Sequence, residues 1–190
     1  MKQLMKAGGY ARISGFLRIV VVLLASELGI GSLSAADRFV PYSGTVSGTI
    51  AVTLTPDGPV VASEAVQTVS HLGRGPQVFT QVDLRGFLDG FASPVVTVSE
   101  GFASNGDSVV ILSTLWARPI SADELTYEGT YRILGGTGRF GWNYPSFSAD
   151  CGSGVITGAA RVQITASGQF LFEFSNSFEG TIQAPLSRRR

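Results

Sequence analysis

The sequence predicts an all-β protein, a single antiparallel β-barrel of about eight strands. Three observations point there. Short runs alternate apolar and polar residues with period 2, turn-forming residues separate them at roughly 8–12-residue spacing, and no stretch carries the 3.6-residue periodicity of an amphipathic helix. The 24 glycines suit tight turns and strongly bent strands. Closure into a barrel also removes the free edges that invite aggregation. At 190 residues the chain is long enough for one domain with a real core.

The first 36 residues read as a secretory signal peptide rather than as part of that domain. Lys2, Lys6, Arg12 and Arg18 form a basic region ahead of the apolar run Ile19 to Ala25. Ser34 and Ala36 then occupy the −3 and −1 positions of a small-residue cleavage site before Asp37. The apolar run falls short of the roughly 20 residues needed to span a bilayer, and Glu27 interrupts its extension. The expected organisation is a signal peptide over 1–36, a barrel domain over 37–183 and a disordered Arg-rich tail over 184–190. The expected location is secreted or periplasmic.

The domain's elements follow in order. Val46 to Leu54 alternates and ends at the turn Thr55-Pro56-Asp57-Gly58-Pro59, where Pro presets φ and Gly supplies positive φ. Val60 to Leu72 leads into His71-Leu72-Gly73-Arg74, Val78 to Leu84 is a further strand, and Gly86 to Pro94 reads as a loop. Val95 to Ser104 and Ser108 to Trp116 flank Asn105-Gly106, which predicts a type I′ hairpin. Thr126 to Phe140 is a strand running into a glycine-built turn, with Tyr127, Tyr131 and Ile133 on one face and Glu128 and Arg132 on the other. After the irregular aromatic segment Phe140 to Pro145 comes a short candidate strand, Ser146 to Asp150. Val155 to Ala166 and Gln169 to Phe178 form a last hairpin around Ser167-Gly168, with Phe170, Phe172 and Phe174 as an inward stripe.

The run Gly135-Gly136-Thr137-Gly138-Arg139-Phe140 resembles the Gly-Gly-Thr/Ser-Gly-x-Phe strand turn of the allene oxide cyclase and dirigent barrels. The chain is also similar to secreted bacterial proteins that pair a His-Leu-Gly-Arg element, here His71 to Arg74, with that later turn. The resemblance implies a barrel fold. It carries no catalytic residue over to this chain.

Composition narrows the function classes. From Asp37 onward ten arginines, no lysine and thirteen acids leave a net charge of −3, and nearer −6 without Arg188 to Arg190. Such a body has no basic stripe for phosphates, so nucleic acid is not an expected partner. Gly136 to Gly141 satisfies G-x-G-x-x-G, but Pro145 forbids the helix a dinucleotide site needs, so no cofactor is expected. A single histidine, His71, excludes a His-pair metal site, no calcium loop occurs, and no metal is expected. The one cysteine, Cys151, has three readings: a small buried hydrophobe, an intermolecular disulfide, or a thiol paired with His71. Asp150 beside it opposes thiol activation. Short strands, no paired aromatic girdles and the terminal arginines argue against a barrel that spans a membrane after processing.

What remains is a site built from aromatics. Tyr127, Tyr131, Phe140, Trp142 and Tyr144 are the candidate ligand-binding residues, gathered by one strand and its following turn. The leading reading is a non-enzymatic module, binding a small apolar ligand or serving a structural role. The alternative is a barrel-type cyclase or isomerase acting without cofactor, and the third is a homo-oligomer that works through its surface. A ligand binder should show a cavity of roughly 300 Å³ or more. An enzyme should add a buried ionisable group, and a structural module should show a filled interior with an exposed apolar patch.

Overall fold

A computed structural model of the chain describes residues 39–141 and 151–184. The expected signal peptide, the candidate strand Ser146 to Asp150 and the tail beyond Ala184 lie outside the described residues. Eight strands follow one another: β1 (Phe39–Thr55), β2 (Gly58–Val69), β3 (Gly73–Asp83), β4 (Val95–Phe102), β5 (Ser108–Pro119), β6 (Glu124–Gly136), β7 (Gly152–Ile164) and β8 (Phe170–Gln183). Each pairs antiparallel with the next, and β1 returns to β8 from Phe39↔Gln183 to Val52↔Phe170, closing the barrel. The expected all-β barrel is therefore the fold.

Alternation drives the closure. Tyr42, Val46, Ile50 and Val52 of β1 point inward and are buried, while Ser43, Thr45 and Ser47 between them face out. On β6 the inward set is Leu125, Tyr127, Tyr131 and Ile133, and Glu128 is exposed as its phase requires. On β8, Phe170, Phe174, Asn176, Phe178 and Ile182 are buried on one face. Burying such an apolar stripe from every strand in one interior is the main stabilising term, at about 1.5–3 kcal/mol per large side chain.

Pairing is uneven around the wall. β1 matches β2 from Gly44↔Val69 to Thr55↔Gly58, whereas β2 matches β3 only from Ala65↔Gln77 to Val69↔Gly73. Past that point the two strands part, and Ser63 Oγ accepts the Phe79 N–H at 2.9 Å. The parted seam opens toward the end of the barrel that carries the β1–β2, β3–β4, β5–β6 and β7–β8 connections.

Several elements differ from the sequence reading. The strands are longer than short: β1 runs 17 residues and β8 runs 14, so strand length does not argue against a membrane barrel. The Asn105-Gly106 hairpin is not type I′, because Gly106 is left-handed (φ 84°) and Asn105 is not. The bonds Gly106 N–H to Ala103 O at 3.0 Å and Ala103 N–H to Asp107 O at 2.8 Å make it a type I turn closed by a glycine bulge. The reason lies in the side chains: Asn105 Oδ1 accepts the Asp107 N–H, and its amide donates to Asp107 Oδ2 at 2.9 Å. The β7–β8 turn repeats that geometry from Thr165 to Gln169. Within the expected loop Gly86 to Pro94, a single helical turn, α1 (Arg85–Leu88), begins the connection.

Candidate functional site

The two ends of the barrel are built differently. At the end bearing the glycine turn, Gly136 lies so close to β5 that a Cβ there would collide with the Ser108 carbonyl. Thr137 Oγ1 accepts the Ser108 N–H at 3.1 Å, so the turn is stitched to the next hairpin. Gly138 takes φ 59°, and any side chain on it would collide with the Asp107 carboxylate. Arg139 then closes an ion pair with Asp107, Nε to Oδ2 at 2.6 Å, and a guanidinium nitrogen donates to the His71 carbonyl at 3.4 Å. Three turns are thus tied in one knot of which Asp107 is the buried centre.

Phe140 is fully buried beneath that knot, with Tyr42, Val109, Ile133, Cys151 and Ile182 equally closed to water. A three-residue 3₁₀ turn (Gly138–Phe140) delivers it. His71, in a left-handed backbone (φ 68°), sits on the surface with its Nε2 at 2.9 Å from the Pro41 carbonyl. That contact fastens the β2–β3 turn to β1. The burial of Cys151 matches the small-hydrophobe reading and gives a thiol dyad no access.

The opposite end is closed by rings. α1 presents Phe87, whose ring meets Phe91, Phe170 and Phe172 edge-on at centroid distances of 5.5, 5.6 and 5.8 Å. Phe91 holds a left-handed backbone (φ 70°), a strained state for a bulky residue. Asp89 fastens the loop by accepting the Ala92 N–H at 2.9 Å, and bonding to Ser93 holds its carboxyl below the usual range. Beneath Phe87 lies a cavity of about 80 Å³ whose walls include Ile50, Phe79, Val82, Tyr127 and Phe174. The rim outside it carries exposed Leu54, Val60, Leu88, Ile120 and Ile164.

Between the ends runs a polar layer. A second cavity of about 30 Å³ touches Gln77, Ser99, Ser113, Tyr131 and Asn176, and it shares Phe79 and Asn176 with the larger one. Gln77 donates its amide to Ser99 Oγ at 2.8 Å, which leaves its Oε1 buried without a partner. Asn176 Oδ1 is likewise buried and unpaired. Burial pushes the Tyr127 hydroxyl up to about 12, opposed by its hydrogen bond with Asn176. Burial alone raises Tyr131 to about 12, and burial followed by the neighbouring Tyr131 raises Tyr42 further. All three are neutral at pH 7, and the Tyr42 hydroxyl is buried without a hydrogen-bond partner.

Of the candidate residues, Tyr127 lines the larger cavity and Tyr131 the smaller. Phe140 plugs the far end and reaches neither cavity, and Trp142 and Tyr144 lie outside the described residues. Sequence reading missed Phe87, Gln77 and Asn176. Asn176 was within reach, since it shares the inward phase of Phe174 and Phe178 and so sits as an amide on an apolar face. Phe87 was not, because nothing local says that a loop aromatic folds back over a barrel mouth.

Searches with the sequence and with the structure found no matching family model, no matching curated protein and no matching solved structure.

Proposed function

We propose that the protein is an exported, non-enzymatic barrel that holds a small apolar ligand in the cavity under Phe87. One observation carries this reading: a cavity of about 80 Å³, walled mainly by aliphatic and aromatic side chains and, among the described residues, by no carboxylate, opens at the end whose rim exposes Leu54, Val60, Leu88, Ile120 and Ile164. An apolar mouth over an apolar cavity favours uptake of apolar molecules. The volume is below the roughly 300 Å³ expected of a drug-sized site. With the adjoining 30 Å³ it approaches the roughly 150 Å³ that receives a benzene-sized guest. The likeness of the Gly135–Phe140 turn to allene oxide cyclase and dirigent barrels supports the same reading at the level of fold. A cyclase or isomerase is less supported, because the ionisable group at the larger cavity is Tyr127, neutral at pH 7.

Self-association is a second reading, favoured by the outer wall of β2 to β5. There Val66, Val78 and Trp116 are exposed beside part-exposed Val98 and Leu112. The opposite wall shows Ser43, Thr45 and Ser47 of β1 with Ser175, Ser177 and Glu179 of β8. A barrel surrounded by lipid needs apolar residues outward on every strand, so the polar wall supports contact with water.

Native mass spectrometry of protein purified from its own compartment tests the ligand. A mass adduct released by organic solvent is the expected result, and a bare monomer that also takes up no added benzene or xenon sinks the reading. A concentration-dependent dimer in the same spectra would favour the outer wall. N-terminal sequencing of the exported fraction should begin at Asp37, and an intact Met1 there refutes processing after Ala36.

A further inference from the structure

We infer that the ligand is a neutral molecule with one hydroxyl or N–H donor beside an apolar body, bound with that donor on Asn176 Oδ1. This rests on the ligand-binding reading above and adds its chemical class. Asn176 is only 9% exposed, and its Oδ1 has no partner although it stands where the two cavities meet. Its hydrogen bond with Tyr127 occupies the amide without satisfying that oxygen. Gln77 Oε1, on the smaller cavity, is a second buried acceptor without a donor. Buried acceptors are seldom left unmade, and both unsatisfied atoms ask for a proton rather than offer one.

Charge is excluded by the same walls. Among the described residues no arginine lines either cavity, so a carboxylate guest would find no cation to pair with. Among the described residues no aspartate or glutamate lines them, so an ammonium guest would be equally unpaired. A neutral phenol or small alcohol satisfies both conditions: its ring or chain fills the space near Phe79 and Phe174, and its O–H points down at the amide.

Equilibrium dialysis of the full-length protein with benzene, phenol and benzoate decides the point. Apolar transfer by itself favours benzene, so phenol binding at least tenfold tighter than benzene, with benzoate unbound, is the expected result. Asn176→Leu should abolish that preference and leave benzene bound at least as tightly as before. If benzene and phenol both bind and phenol has no advantage, the donor assignment is overturned while the cavity reading stands. If neither binds, the cavity reading falls and takes this one with it. Should the leucine variant fail to fold, the phenol-to-benzene ratio of the unaltered protein settles the assignment alone.

Discussion

At the glycine-turn end, the barrel is shut by a part-buried ion pair and by rings and aliphatic side chains closed to water. At the aromatic end, ring edges meet across a cavity of about 80 Å³ beneath a strained loop. The first end draws on covalent neighbours: five consecutive residues, Gly136 to Phe140, each answer to a named partner or a close approach. The second draws on residues scattered over β1, β3, the β3–β4 loop, β6 and β8. Rigid closure and open closure are thus produced by the same fold, and the difference lies in how many directional contacts hold each end. A binding mouth belongs at the less constrained end, because local opening is cheapest where directional contacts are few.

The largest test of that contrast compares two Phe→Ala changes. Phe140→Ala should cost about 3–5 kcal/mol, the range for a fully buried ring in a well-packed site. Phe87→Ala, from a half-buried position over an existing cavity, should cost about 1–2 kcal/mol. Urea unfolding of both variants checks this, and equal losses would show the ends to be equally tight. Next in size is Arg139→Ala, expected to lose about 1.5–3 kcal/mol because it takes the cation from an Asp107 carboxylate that is only 11% exposed and keeps its bond from the Asn105 amide. By contrast, Arg161→Ala removes a pair with Glu124 that is about half exposed on both sides, and should shift stability by less than about 1 kcal/mol.

Alkaline titration sharpens the interior. The unfolded chain ionises its tyrosines near 10, and the native barrel delays Tyr127 and Tyr131 to about 12. A raised native value means that the stabilisation is complete below pH 10 and is lost as pH climbs from about 10 to about 12. Absorbance of tyrosinate should therefore show Tyr42, Tyr127 and Tyr131 missing from the ordinary transition, followed by unfolding. Ionisation of all tyrosines together near 10 in a folded protein would contradict their burial.

The smallest expected effect is at the lid. Phe91→Gly relieves the left-handed backbone but removes the ring packed on Phe87, so the change in stability should stay within about 1 kcal/mol. Faster hydrogen exchange confined to the β3–β4 loop is the accompanying readout. Protection lost equally at both ends would mean that the loop does not open on its own.

Particular residues show how far the sequence could be read. Alternation places Tyr127, Tyr131 and Ile133 on one face, and that face is the inward one. The Gly135 to Phe140 run reads as a glycine-built turn, and a 3₁₀ turn lies within it. The Asn105-Gly106 turn type was misread because dipeptide preference does not register that Asp107 is wanted by Arg139, 32 residues away. The cavity was legible only in halves: Tyr127 was named, while Asn176 and Phe87 were not.

Strand alternation, turn glycines and the inward phenylalanine stripe are properties of neighbouring residues, and period-2 burial converts them directly into a closed all-β wall. The sequence alone settled that much. The tertiary structure alone decided which barrel end is locked, which is lidded, and where two amide oxygens are stranded. Those outcomes depend on strand register and on contacts between distant residues, which no local pattern encodes.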